Sequence, residues 1–282
     1  MAVGLDIGAS YIKGGIIKDG RVTNFIRLPT GKTKEQFLAT LTRAINTLAK
    51  GESWVGLAVP GPADYARGII LDAPNLPVRN FNLQAHLKKE LNIELTMAND
   101  AVCFTLAEAL CGAGKGKSLV IGVTLGTGVG GGIVLNGKPL LGCGNAGHFS
   151  RMVLRNEPSK DHFFKYQTFE VLCSERGLLA RAPGFNSGLE MANAARNGDK
   201  EALVAFREYG RDLGLGVGSL IAIFDPDIVV IGGGLSGNWD LFESEMRGAI
   251  AEVTSFKAEV VKHHLEQPGI VGASLLRGIN YK

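Results

Sequence analysis

The sequence predicts an α/β protein of one large or two medium domains, on three observations. Two glycine-hinged β-hairpins each open their half of the first 150 residues, apolar strand-like runs alternate with amphipathic helical stretches, and the second half repeats the plan of the first. The length of 282 residues exceeds the usual size of one domain and leaves ample material for a core.

The first hairpin is AVGLDIGASYIKGGII, residues 2–17: a strand, a turn at Gly8-Ala9-Ser10, and a second strand, with Asp6 near the end of the first. An acidic residue at the mouth of a glycine turn can hold a hydrated Mg²⁺ while the turn amides and Ser10 face a phosphate, and Lys13 can add a point charge. A solvated hairpin with a capping Asp would fit the same residues. Thr33 to Lys50 then reads as an amphipathic helix, with Phe37, Leu38, Leu41, Ile45 and Leu48 on one stripe. Trp54 to Val59 is a buried strand ending in Pro60-Gly61-Pro62, followed by a strand-like Gly68 to Leu71 and the turn Ala73-Pro74-Asn75-Leu76-Pro77. A helix over about 82–91 and a short strand over 95–98 lead to Asn99-Asp100, ahead of a helix over 101–110. Asn or Asp there serves as an N-cap, and the C-terminal mouth of a strand is also where α/β folds place catalytic groups.

The second hairpin, VIGVTLGTGVGGGIVLN over 120–136, places Gly126, Gly128, Gly130, Gly131 and Gly132 between two apolar runs. Glycine there permits positive φ and leaves backbone N–H groups open to an anion, and Thr127 adds a hydroxyl. A ligand-free glycine hairpin remains the alternative. No Gly-Lys-Ser/Thr follows, so this is not a Walker loop, and no helix opens directly behind it as a dinucleotide fingerprint requires. Helices are expected over 188–210 and 211–224, the second almost wholly apolar and used as core. Then come a strand over 227–231 running into Gly232-Gly233-Gly234-Leu235-Ser236, a helix over 241–253, a strand near 259–262 and a glycine-punctuated helix over 269–278.

Composition excludes several classes. Apolar residues make up 45%, charged residues 20%, and the net charge of +3 comes without a basic block, so no nucleic-acid face is expected. No apolar run reaches about 18 residues and no signal sequence opens the chain, so neither membrane insertion nor secretion is expected, and the location read is cytoplasmic. The four cysteines, Cys103, Cys111, Cys143 and Cys173, lack CxxC spacing, three of them in apolar or glycine-rich contexts that favour free buried thiols.

These motifs together resemble the actin, hexokinase and heat-shock ATPase superfamily, and within it the ROK family of bacterial sugar kinases and repressors. The resemblance covers nearly the whole chain: DIGASYIKGGI (6–16), VPGPAD (59–64), APNLP (73–77), AND (98–100), LGTGVGGGIVLNGKPLLG (125–142), DPDIVVIGGGLS (225–236) and GIVGASLLRG (269–278). It implies two actin-like (ribonuclease H-like) lobes with a cleft between them. One lobe would be 1–115, with the last helix, 270–282, able to pack back on it, and the other 116–282. Cleft closure would then exclude water from the reaction. A repressor is disfavoured, since the helix-turn-helix that ROK repressors carry ahead of this core has no counterpart before the first strand.

The resemblance further implies an ATP-dependent sugar kinase. Asp6, Gly8, Ser10 and Lys13 would meet the phosphates, with Asp6 holding Mg²⁺ through water. Gly126, Thr127, Gly128 and Gly130 would form the second phosphate loop, and Gly232, Gly233 and Gly234 would flank the adenosine. Asp100 would be the general base toward the sugar hydroxyl. Asn75 and Asn99 would bind substrate, and the protein would be a homodimer, as relatives commonly are.

Past the second loop the chain departs from the family pattern. Members usually carry Gly-Glu-Ile-Gly-His and then Cys-x-Cys-Gly-x-x-Gly-Cys-x-Glu, in which the His and three Cys bind zinc. Here His148 stands in place of the Glu and Arg151 in place of the zinc His, and the cysteine positions fall on Asp161, Phe163 and Thr168. No zinc site is expected. Cys173 lies too far along, and His162 reads as a surface or packed histidine. Phe163, Phe164, Tyr166 and Phe169 are expected to form a small apolar core in place of the metal. Glu170 is expected to reach the sugar, with His148 and Arg151 altering the edge that reads its anomeric end. Histidine at the Glu position also occurs in some N-acetylmannosamine kinases of the family. Arg151 is read either as a partner for an acidic or phosphorylated substrate or as an ion pair with Glu170 or Asp161. The expected reaction is phosphorylation, at C6, of a hexose or N-acylhexosamine. The alternatives are a sugar-sensing protein that has lost catalysis and a kinase of a non-hexose or acidic sugar.

Overall fold

The computed structural model describes residues 2–160, 163–279 and 281. Contacts divide the chain into two units: one takes residues up to Gly116 together with 132–146 and the chain from His264 onward, the other takes 117–131 and 147–263. The expected boundary near 115 therefore marks only one of four crossings. The segment 132–146 groups with the first unit, as do the last helix and the run leading into it.

In the first unit, β1 (Ala2–Ile7), β2 (Tyr11–Lys18), β3 (Arg21–Pro29), β4 (Trp54–Val59), β5 (Ala63–Asp64), β6 (Ile69–Asp72), β7 (Arg79–Asn82) and β8 (Glu94–Asn99) accompany α1 (Lys34–Leu48), α2 (Leu83–Leu91) and α3 (Asp100–Cys111). The main sheet runs β3-β2-β1-β4-β8, antiparallel at the hairpins and parallel from β1 through β4 to β8. Helix α1 forms as its periodicity predicts. Thr33 Oγ1 accepts from the Gln36 amide at 3.3 Å as the N-cap, and Phe37, Leu41, Ile45 and Leu48 are buried against the sheet. Strand β3 was not foreseen. It is an edge strand whose register against β2 shifts between Gly14 and Ile16, which breaks the alternation a period-2 reading needs.

The second glycine hairpin is β9 (Leu119–Leu125) and β10 (Val129–Leu135), followed by β11 (Lys138–Pro139). Beyond it lie β12 (Val153–Pro158), β13 (Tyr166–Thr168), α4 (Phe169–Cys173), α5 (Glu175–Leu179), α6 (Gly188–Arg196), α7 (Lys200–Phe224), β14 (Ile228–Gly232), α8 (Trp239–Val253) and β15 (Glu259–Lys262). The chain closes with α9 (Pro268–Ser274) in the first unit, shorter than the expected 269–278. The second sheet runs β11-β10-β9-β14-β15, with β9, β14 and β15 parallel.

The helix break expected at 210/211 lies instead at 197–199. Gly198, at φ +90°, ends α6, and the Asp199 carboxylate caps α7 by accepting from the Ala202 amide at 2.9 Å. Gly210 does not interrupt α7, because the glycine serves close packing. A Cβ there would stand 2.5 Å from the Phe242 carbonyl oxygen of α8. The apolar part of α7 is core as expected, with Leu213, Val217, Leu220 and Ile221 buried. No helix among the described residues is long and apolar enough to cross a membrane.

Candidate active site

Within the first unit the parallel strands bring the acidic residues to one end of the sheet. Asp6 is the penultimate residue of β1 and Asp100 follows the last residue of β8, so both lie at C-terminal ends of parallel strands. Burial pushes the Asp6 carboxyl up to about 6, the negative charge of Asp100 adds to the rise, and Lys13, opposite Asp6 in the β1–β2 register, works against it. Asp100 is exposed in the first turn of α3. Asn99 is the N-cap of that helix: its Oδ1 accepts from the Ala101 amide at 2.9 Å, a hydrogen shared with Asp100 Oδ1 at 2.9 Å. Capping and a functional role thus coexist in this pair.

The turn between β1 and β2 is held from below. The Gly8 amide donates to the Tyr11 carbonyl at 3.0 Å, and Thr30 Oγ1 donates to the Gly8 carbonyl at 2.6 Å. Gly8 therefore spends its own N–H inside the turn. Among the described residues, the amides of Ala9 and Ser10 have no protein acceptor. Asn75 is exposed in the turn closed by the Leu76 amide bonding to the Ala73 carbonyl at 2.9 Å.

The second unit repeats this device. Between β9 and β10 the Gly126 amide donates to the Gly128 carbonyl at 2.9 Å, and the Val129 amide donates to Glu170 Oε2 at 3.0 Å. Among the described residues, the amides of Thr127 and Gly128 have no protein acceptor, so they sit at the tip of the loop as Ala9 and Ser10 do at the first. Gly130 continues into β10. Gly232 ends β14, paired in register with Thr124 of β9, and Gly233 at φ +84° turns so close over β9 that a Cβ would stand 2.2 Å from the Leu125 carbonyl oxygen. Gly234 starts a 3₁₀ turn through Asn238. A cavity of about 380 Å³ opens there, lined by Gly126, Glu175, Leu189, Arg196, Leu235 and Asn238 among others. Of the lining residues the sequence reading named Gly126 and Gly234 as site residues. Glu175 Oε1 accepts from the Gly188 amide at 2.8 Å and Arg196 forms a two-point pair with Asp240, links that bring residues far apart in the chain to one wall.

A family model described as "ROK family" matches residues 2–278 of this sequence. The chain belongs to the ROK family. Among its ROK-like relatives, the glucokinase of Thermotoga maritima is 29% identical over 307 residues, covering 96% of this chain and 95% of the relative. The N-acetylgalactosamine kinase AgaK of Shewanella sp. (strain ANA-3) is 35% identical over 260 residues, covering 84% and 82%. The crystal structure of a ROK family glucokinase from Streptomyces griseus in complex with glucose and AMPPNP superimposes with a TM-score of 0.83 at 28% identity, covering 98% of each chain.

The segment where this ROK chain departs from the family pattern differs from its expectation. Of the aromatic cluster, only Phe169 is fully buried, its ring against Gly216 of α7; Phe164 and Tyr166 are half-buried and Phe163 is 75% exposed. The segment is fastened instead by charge. Arg155 of β12 and Arg181 both pair with Asp212 of α7, whose side chain is 2% exposed, and Arg181 also donates to the Leu172 carbonyl at 2.9 Å. Thr168 Oγ1, at one former cysteine position, caps α4 by accepting from the Val171 amide. Asp161 and His162 lie outside the described residues.

Arg151 makes no ion pair with Glu170 among the described residues, and the other candidate, Asp161, lies outside them. Its guanidinium lies 4.7 Å over the Phe164 ring, while Glu170 is taken up by the Val129 amide. Glu170 is thus first a brace for the second glycine loop. Its Oε2 would stand 2.7 Å from a Cβ at Gly128, so the loop needs glycine there for the carboxylate to approach. His148 is exposed at the head of the 3₁₀ turn Phe149–Arg151. All four thiols are free, yet Cys143 is exposed rather than buried.

Proposed function

We propose that this ROK chain is an ATP-dependent carbohydrate kinase that transfers the γ-phosphoryl group to a sugar hydroxyl, at C6 of a hexose or N-acylhexosamine. The observation that carries the reading is the pair of carboxylates at the C-terminal ends of parallel strands in one sheet, Asp6 half-buried and Asp100 exposed, with the charge of Asp100 adding to the rise of the Asp6 carboxyl. Desolvation first, and then the Asp100 charge, outweigh Lys13 at the Asp6 carboxyl, and a cation there would relieve both, so Asp6 fits a hydrated Mg²⁺; when bound, that ion supplies charge neutralisation at the phosphates.

The protein's own groups do the remaining work. Asp100 accepts the acceptor hydroxyl's proton as its oxygen bonds to the γ-phosphorus and the bond to the leaving ADP oxygen breaks. Asn99 hydrogen-bonds a neighbouring hydroxyl. In each unit the loop amides can take phosphate oxygens, those of Ala9 and Ser10 with the Lys13 charge in the first and those of Thr127 and Gly128 in the second. The nucleoside lies against Gly232–Gly234 and the cavity beside them. Similarity to relatives named glucokinase and N-acetylgalactosamine kinase supports a hexose or N-acylhexosamine acceptor. A homodimer in the cytoplasm is the accompanying proposal, read by light scattering and fractionation.

A second reading keeps the chemistry and takes an acidic sugar, because Arg151 is paired with no carboxylate among the described residues. Coupled ADP release with Mg-ATP over neutral hexoses, their N-acetylamino forms and acidic sugars tests both. Turnover on one class, with kcat lowered about 10³-fold or more in Asp100→Asn, is expected. No turnover on any sugar, or an Asp100→Asn variant as active as the parent, would sink the kinase reading.

A further inference from the structure

We propose that Tyr65 is a positioning residue that fixes the tilt at which Asn99 presents its amide to the acceptor sugar, an inference resting on the kinase reading above. The amide of Asn99 has one forced orientation. Its neighbour Ala101 N–H can only donate, at 2.9 Å, so Oδ1 must face the helix and Nδ2 must face away from it. Nδ2 then donates one hydrogen to the Tyr65 hydroxyl at 3.3 Å, and that hydroxyl points its own hydrogen at the Val59 carbonyl, 3.4 Å away.

The relay is embedded in the structure around it. Tyr65 is 4% exposed, on the turn after β5, and burial raises its phenol so that it remains a donor at every working pH. Its hydroxyl lies 3.0 Å, and Asn99 Nδ2 3.9 Å, from where a Cβ on Gly61 would sit, so Pro60-Gly61-Pro62, Tyr65 and Asn99 converge at one point. With Oδ1 and one N–H committed, Asn99 has its second N–H left for a ligand, one residue before the carboxylate of Asp100. The pair therefore reads two adjacent hydroxyls by opposite polarity: one oxygen that accepts from Asn99 and one hydroxyl that donates to Asp100. Without the phenol hydroxyl the amide keeps its capping bond but loses the contact that fixes its tilt.

The test uses the full chain and the sugar found by the ADP-release panel, with Tyr65→Phe, Asn99→Ala, the double variant and Asp100→Asn assayed side by side. Tyr65→Phe is expected to raise the sugar KM about fivefold to tenfold, the size of one lost hydrogen bond. Its kcat, its ATP KM and its Tm are expected to stay close to the parent's. Asn99→Ala is expected to raise the sugar KM at least as much, and the double variant no further than Asn99→Ala alone, because both changes remove one linkage. A sugar KM unchanged in Tyr65→Phe but raised in Asn99→Ala overturns the proposal and leaves the kinase reading intact. So do effects that multiply in the double variant, or an equal rise in ATP KM. Absence of sugar turnover in the parent, or full activity in Asp100→Asn, overturns the kinase reading and the Tyr65 role with it.

Discussion

The two glycine loops and the segment 147–170 are built on opposite principles. Each loop is built from backbone. The turn spends the amide of its first glycine internally, Gly8 to Tyr11 and Gly126 to Gly128, and leaves the next two amides at its tip. The later segment is built from side chains: Arg155 and Arg181 on Asp212, Arg151 over Phe164, Glu170 on the Val129 amide. Backbone devices tolerate drift in surrounding sequence, whereas side-chain devices change identity with each substitution.

The sharpest way to break the comparison is to remove the charge at the centre of the side-chain region. Asp212→Ala leaves two guanidinium groups without their shared carboxylate, and a loss of about 3–5 kcal/mol is expected in chemical unfolding. A loss below about 1 kcal/mol would mean that the β12–β13 ladder and Phe169 hold the segment by themselves.

Next in size is Asp6, where function opposes stability. Its folded pKa is raised from 3.8 to about 6. Below pH 4 the carboxyl is neutral in both states and costs nothing. Between about pH 4 and pH 6 the unfolded chain releases its proton first, so stability falls as pH rises, by on the order of 3 kcal/mol in all. Asp6→Asn is expected to flatten that fall and to unfold later than the parent at pH 8 without ligands, while losing kinase activity. Equal pH profiles in urea melts would show that Asp6 is not strained in the fold.

A smaller effect links the two regions. Glu170→Ala frees the Val129 amide and loosens the second loop, so ATP KM is expected to rise about tenfold, while Glu170→Gln, which keeps an accepting oxygen, stays within about threefold. A change in sugar KM alone would restore the substrate-contact reading of Glu170. The smallest expected effect is none. Prolonged chelation should leave Tm unchanged, and metal analysis should find no stoichiometric zinc, because Phe163 and Thr168 at two of the former cysteine positions offer no thiolate. A chelator-induced drop would reverse that conclusion.

Much of the fold was legible in residues 2–145. Strands with β-branched runs, glycine turns and the α1 stripe follow local rules, and they gave β1, β2, β4, α1, α2, α3 and the two loops within a residue or two. What escaped was non-local. Strand β3 is an edge strand with a shifted register, and β12 and β13 pair with irregular register across the loop between them, so neither shows clean alternation. The α6–α7 break was misplaced because Gly210 and Gly198 look alike in sequence; one lets α8 approach and the other carries a positive φ. At the candidate site, Asp6, Asp100 and the glycines stood out in the sequence because the proposed chemistry needs those residue types. Tyr65, Glu175 and Arg196 were not, since a buried tyrosine, a helix-start glutamate and a surface arginine each have many ordinary uses.

By itself the sequence determined which residues can carry charge, bare backbone and turns, and therefore the family and the two glycine loops. Tertiary structure alone decided the rest: that Asp6 is desolvated within the field of Asp100, that Asn99 Nδ2 donates to the Tyr65 hydroxyl, and that Glu170 braces a loop 41 positions earlier in the chain. The physical reason is one of range. Backbone conformation and capping are settled within a few residues, whereas desolvation, pKa and side-chain pairing depend on what distant segments pack alongside.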